Sequence, residues 1–208
     1  MEADLTPRAL AKREQIREGA GRVFLERGFS RTSTDVIASE SGVSKQTLYA
    51  YYPSKEDLLF DVLRRMVEEG ARGRLAEAIE GISFRGREEL RWALVSVAHG
   101  LISALMDANY VALVRIVISE TPRLPHLGHL FRSAVPEGIL GRIGALLERA
   151  HREGVIGEID ADLAARAFVG PLLTYVLMDG LFIGDGLPRP PAPARIDDTV
   201  DLFMRMIP

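Results

Sequence analysis

Ala38 and Gly42 stand four residues apart, with Ile37, Val43 and Leu48 around them. That spacing constrains the fold more than any other feature of the chain. Where two short helices cross closely, the residue at the crossing must be small, and Ala38 is small. The turn between them needs a residue that tolerates positive φ, and Gly42 supplies it. The wedge between the helices needs apolar side chains, which Ile37, Val43 and Leu48 provide. This is the size pattern of a helix-turn-helix.

The flanking sequence agrees. Thr6 is placed to cap a first helix that has Pro7 at its first position. Ile16, Ala20, Val23 and Phe24 give that helix one apolar face, and Gly28 ends it. Thr32, Ser33 and Thr34 compete as N-cap of the second helix. The third runs from about Ser44 to Tyr51 and is stopped by Pro53. Ser54, with Asp57 three residues on, opens a long fourth helix through Leu58, Leu59, Val62, Leu63, Met66 and Val67. Gly70, Gly73 and Gly81 are expected to bend or end it. Beyond Gly86 longer apolar helices are predicted at about 87–106, 109–119, 134–153, 160–183 and 196–207, with a loop at Thr121–Pro125. No alternating strand is evident. The expected fold is all-α, with a three-helix unit at 1–53 joined through the fourth helix to a larger helical unit at 54–208.

Ser44 to Lys55 holds three tyrosines, a threonine, a glutamine and two lysines, and no carboxylate. If Val43 and Leu48 point inward, the 3.6-residue period puts Lys45, Gln46, Tyr49 and Tyr52 on or near the opposite face. Gln can pair with adenine edges, Lys with guanine acceptors or phosphate, and Tyr and Thr hydroxyls with phosphate oxygens. Lys55 adds a cation at the start of the fourth helix, where the amide dipole favours anions. Total charge does not announce a nucleic acid partner. The net charge is −3, and the first sixty residues hold nine Lys or Arg against nine Asp or Glu. Phosphate binding must therefore rest on local placement.

The run Phe29–Leu59 resembles the DNA-binding domain of the TetR/AcrR family of transcriptional regulators. The matching residues are Gly28-Phe29, Thr32-Ser33, Ile37-Ala38, Gly42-Val43-Ser44, Thr47-Leu48-Tyr49, Tyr51-Tyr52 and Ser54 to Leu58. The resemblance covers about fifty residues and fades beyond them. It implies an all-α homodimer whose N-terminal helix-turn-helix domains sit in successive major grooves of a palindromic double-stranded DNA operator. The larger helical domain would then serve ligand binding and dimerisation. Thr47, Tyr49, Tyr51 and Lys55 would hold the DNA backbone, and Lys45 and Gln46 would face bases. Thr34 and Tyr52 complete the candidate DNA-contacting set. Tyr52 stands where the family often has Phe, and Gln46 where a small residue is common.

In the larger domain, Ile196, Val200, Phe203 and Ile207 form an apolar stripe on the last helix. Ala164, Ala167 and Gly170 permit close helix approach, followed by Leu172 and Val176. Two such helices per subunit would build a four-helix interface across a two-fold axis. The competing reading is an ordinary intramolecular core. The resemblance also implies a small-molecule effector. Its candidate pocket liners are Trp92, His99, Met106, Tyr110, Phe131, Tyr175, Met178 and Phe182, which would favour an apolar ligand. Pro171 is expected to kink its helix. Asp107, Arg115, Glu120 and Asp179 are charged groups beside apolar runs, expected to be paired or solvent-facing.

Other classes find little support. The chain has no cysteine, P-loop, GxSxG, HExxH or GxGxxG motif. No cofactor or metal is expected; His126 and His129 sit three apart without an evident third ligand. The N-terminus lacks the apolar core of a secretion signal. Phe168 to Ile183 carries Asp179 and is short for a bilayer span, so a cytoplasmic location and no membrane partner are expected. The reading is a ligand-responsive regulator, with repression as the expected sign. Its rivals are a regulator controlled by a protein partner alone, and an enzyme on a helical scaffold.

Overall fold

The computed structural model describes residues 6–69, 84–184 and 186–208. All regular structure among them is helical: α1 (Pro7–Arg27), α2 (Thr34–Glu40), α3 (Lys45–Tyr51), α4 (Lys55–Glu69), α5 (Arg87–Leu105), α6 (Ala108–Glu120), α7 (Pro125–Ala134), α8 (Pro136–Arg152), α9 (Ala161–Val176) and α10 (Pro193–Met206). A π-helical turn, Leu177–Leu181, continues α9. Gly70, Gly73 and Gly81 lie outside the described residues.

Local signals explain the N-terminal ends. The Thr6 hydroxyl accepts from the Ala9 amide, and Pro7 opens α1. Ser33 caps α2 through the Val36 amide, and Ser44 caps α3 through the Thr47 amide. Ser54 accepts from the Asp57 amide and donates back to its carboxylate. Each satisfies a helix N–H that has no partner within its helix. Gly28 and Gly42 end their helices at φ 77° and 61°, conformations that favour glycine.

α1 packs against α2 and α4, and α2 against α3. A further small residue lets α1 and α2 meet. A Cβ at Gly19 would lie 2.3 Å from the Ser41 Oγ and 2.9 Å from its Cα. Ile16, Ala20, Phe24, Ile37, Ala38, Leu48 and Leu58 close the core beneath.

The larger unit is built on α9, which packs on α8, α5 and α10. Phe168 meets Phe203 edge-on at 5.2 Å. Arg87 donates to the Met204, Ile207 and Pro208 carbonyls, tying down the C-terminal end of α10. Contacts from the start of α7 and the end of α6 join the units. Phe60 of α4 meets the His126 ring of α7 at 5.2 Å, and the Ser30 hydroxyl, just after α1, donates to Glu120 of α6 at 2.7 Å.

Three expectations change. Residues 125–134, read as following a loop, form α7: Pro125 is its first residue rather than part of a break. The helical run Ala161–Leu181 is long and apolar enough by composition to cross a membrane, which the shorter window Phe168–Ile183 conceals; in this fold one face of it is packed on α8, α5 and α10. The third concerns the stripe assigned to a dimer. Ala164, Leu172, Val176, Ile196, Val200, Phe203 and Ile207 are buried within the single chain, and Ala167 packs partly against them. They form the intramolecular core, because α5 and α8 of the same chain already cover them.

Candidate nucleic acid interface and effector cavity

α3 presents Lys45, Gln46 and Tyr49 to solvent, while Leu48 is buried. Thr34 and Thr47 are half-buried, and each is held by a neighbouring hydroxyl. The Thr34 Oγ1 lies 3.4 Å from the Tyr49 hydroxyl, and the Thr47 Oγ1 lies 2.8 Å from the Ser44 Oγ. The start of α2 and the outer side of α3 thus form one hydroxyl-rich surface.

Asp35 sits on that surface. Its carboxylate is 3.0 Å from the Lys45 ammonium, and the hydrogen bond raises the Lys45 pKa. Ser44 to Lys55 contains no carboxylate in sequence, but the α2–α3 packing brings one to its first lysine. Both groups are well exposed, so the pair is screened and weak. A phosphate near Lys45 would compete with Asp35 and be repelled by it. Asp35→Asn should therefore tighten binding to duplexes of any sequence, by about three- to tenfold at low salt, and steepen the salt dependence of binding. Titration of labelled duplex at several salt concentrations checks this; unchanged affinity would show that Lys45 does not approach the backbone.

Three other candidates are placed differently from the expectation. Tyr52 is buried, and its hydroxyl donates to Asp61 Oδ2 at 2.6 Å. Burial, followed by the hydrogen bond to Asp61, pushes its pKa well up, so it remains a neutral donor. Tyr52 anchors the end of α3 and does not face a ligand. Asp61, itself buried, also lies 3.0 Å from Arg64, 3.2 Å from Arg13 and 3.6 Å from Arg17. This network ties α1, α3 and α4 together. Lys55 turns its ammonium inward, donating to the Phe29 and Thr32 carbonyls at 3.1 and 3.0 Å and lying 4.2 Å from the Phe29 ring centre. It fastens the α1–α2 loop to α4 because those carbonyls lack helix partners. Tyr51 is half-buried and packs against the core.

The larger unit contains a cavity of about 200 Å³. Leu105 of α5, Tyr110, Val111 and Val114 of α6, and Phe131 of α7 line one side. α8 contributes Ile139 and Leu140. α9 and the π-turn contribute Val169, Leu173, Leu177 and Leu181. Of the sequence candidates, Tyr110 and Phe131 line it, with ring centres 6.5 Å apart. The others do not. Trp92, Met178 and Phe182 are exposed; Met106 is buried outside the cavity against Gly180. Tyr175 packs on the core, and His99 bonds Asp197 at 2.8 Å on the α5–α10 side. The cavity is walled mainly by aliphatic residues whose spacing is that of any helix core, whereas aromatic and Met residues are the conspicuous ones in the sequence.

Three of the four charged candidates are engaged elsewhere; the fourth, Asp179, is half-buried on the π-turn and does not line the cavity. Asp107 caps α6 through the Asn109 and Tyr110 amides. Arg115 donates to the Gly180, Leu181 and Ile183 carbonyls, pinning the π-turn that forms one cavity wall. Glu120 is buried and receives the Ser30 hydroxyl. Among the described residues no cluster of three His, Cys, Asp or Glu could hold a metal.

Comparison with known proteins decides the family. The profile of bacterial regulatory proteins of the tetR family matches residues 16–62, and that of the AefR-like transcriptional repressor C-terminal domain matches residues 92–206. The chain belongs to the TetR family. This family member superposes on a putative TetR-family regulator from Mesorhizobium loti MAFF303099 with a TM-score of 0.83, at 25% identity over 97% of this chain and 99% of that one. The flavonoid-responsive regulator FrrA gives a TM-score of 0.69 at 30% identity, over 96% and 98% of the two chains. The transcriptional activator FasR of Mycolicibacterium smegmatis is 40% identical over 57 residues, 27% of this chain. That stretch spans 26% of FasR, so the curated likeness is confined to about a quarter of the relative.

Proposed function

We propose that this TetR-family chain is a dimeric DNA-binding regulator, most simply a repressor, released from a palindromic operator by a small apolar effector. The observation that carries the proposal is the exposed α3 face of Lys45, Gln46 and Tyr49 on a helix whose other side is locked by Leu48 and Tyr52. Gln46 reads base edges, Lys45 reaches a guanine edge or the adjoining phosphate, and Tyr49, Thr34 and Thr47 meet phosphates. The repressor description of the matching C-terminal profile supports the sign of regulation, and the responsiveness stated for FrrA supports a small-molecule effector. The cytoplasm, where such an operator lies, is the place of action.

A second copy of the chain covers the apolar surface that α9 and α10 leave open. Leu163, Leu173 and Met178 are exposed on α9 and its extension, and Leu202 and Met206 on α10. These side chains lie opposite the buried stripe, so the same two helices serve core and dimer with different faces.

α6 links effector to operator. Tyr110, Val111 and Val114 line the cavity near its start, and Glu120 at its end holds Ser30 beside the helix-turn-helix. A ligand that shifts α6 changes the separation of the two recognition helices and so the population able to bind DNA.

Selection of bound duplexes from a random pool, using the full chain, tests the reading. The expected product is a two-fold symmetric site with half-sites about 34–36 Å apart or a multiple of that spacing. Gln46→Ala should change the preferred base at one position per half-site. A pool that enriches no sequence would reject the proposal.

A further inference from the structure

As the effector site of the proposed regulator, the cavity is chemically narrower than "apolar" conveys, and any inference about its ligand rests on that reading. The only polar side-chain atom among its described lining residues is the Tyr110 hydroxyl. Burial raises the Tyr110 pKa, so the phenol stays protonated, and its hydroxyl has no hydrogen-bond partner among the described residues. Three charged groups close along the chain cannot serve a ligand without breaking structure, and a fourth, Asp179, is not among the described lining residues. Asp107 is spent on the amides that start α6, Arg115 on three carbonyls of the π-turn, and Glu120 on Ser30. A carboxylate or ammonium placed in this cavity would lose hydration and find no counter-charge among the described lining residues.

Size narrows the choice further. An apolar cavity of about 150 Å³ stays dry and admits benzene. The roughly 200 Å³ available here suits one ring with a short substituent, or an alicyclic molecule of similar bulk. We propose that the effector is a neutral, compact, mainly hydrocarbon molecule bearing one oxygen that accepts a hydrogen bond from Tyr110. Val111, Val114, Ile139, Leu140 and Val169 enclose its hydrocarbon part. Acyl chains with an ionised headgroup inside the cavity, and quaternary amines, are excluded by the same lining.

Four probes of similar size separate these properties: acetophenone, propylbenzene, benzoate and phenyltrimethylammonium. Binding to the full-length chain is followed by calorimetry and by release of the selected operator. Acetophenone should bind and release DNA. Propylbenzene should bind about tenfold more weakly, the worth of one hydrogen bond. The two ions should show no binding up to millimolar concentration. Tyr110→Phe should abolish the advantage of acetophenone while leaving propylbenzene unchanged, and Val114→Phe, which fills the cavity, should remove both neutral ligands. Benzoate or the ammonium binding as well as acetophenone, a carbonyl preference that survives Tyr110→Phe, or no binding by either neutral probe would overturn the assignment. None of those results touches DNA selection by the ligand-free chain, whose failure would instead reject the regulatory reading.

Discussion

Replacing Leu202 by Glu is expected to leave each subunit folded, to convert a dimer of the 22.9 kDa chain into monomers, and to lower operator affinity by about 10²- to 10⁴-fold. Leu202 is 52% exposed in the single chain, so a carboxylate there meets water when the subunit is alone. Across a two-fold axis each new carboxylate would be buried against apolar side chains of the other copy, and its twin would lie nearby. The affinity loss follows because a dimer places its second recognition helix at high effective concentration once the first has bound. A monomer forfeits that gain. Met178→Glu, on the α9 side of the same surface, should behave alike. Sedimentation velocity reads the mass, duplex titration the affinity, and thermal melting the integrity of the subunit. A Leu202→Glu chain that still sediments as a dimer would move the interface elsewhere. Val200→Glu is the informative contrast: that side chain is in the intramolecular core and should unfold the subunit rather than dissociate it.

Asp61→Asn should destabilise the chain by about 3 kcal/mol, because removing one member of a buried charged network leaves the others without compensation. For a chain of this size that corresponds to a melting point lower by roughly 6–12 °C. The substitution keeps the shape of the side chain but removes the charge facing Arg13 and Arg17, whose side chains are 22% and 12% exposed. Arg17 retains Glu14, so the loss is partial. Tyr52→Phe removes the hydrogen bond donated to Asp61 and the one accepted from Arg13 but leaves the charges in place, and should cost less, about 1–2 kcal/mol. Denaturant titration of the two variants and the double variant gives their coupling. A melt of Asp61→Asn within a degree of the parent would show that the network is not a support of the N-terminal unit.

Some of this architecture is legible directly in residue types. Thr6, Ser44 and Ser54 cap helices, and Gly28 and Gly42 adopt positive φ, because capping and left-handed turns are decided within a few residues. The α3 face is predictable for the same reason: Val43 and Leu48 fix which side points in. Tyr52 and Lys55 escape such reasoning because their partners, Asp61 and the carbonyls of Phe29 and Thr32, come from other parts of the chain. The stripe Ile196, Val200, Phe203 and Ile207 had to be covered, but periodicity does not say by which chain. The cavity is the least visible feature. It arises where α6 stands off the packed pair of α8 and α9, and a residue lining a void has the same sequence pattern as one in contact with its neighbour.

Glu120 accepting from Ser30 makes α6 a member of both halves of the molecule. Thermodynamic reciprocity then applies: whatever factor an effector subtracts from operator affinity, the operator must subtract from effector affinity. Chain seated on its operator would sense only the higher effector concentrations, while chain free in solution would soak up the first molecules to arrive. The number of free copies, and not the cavity alone, would then set the concentration at which the regulated genes respond.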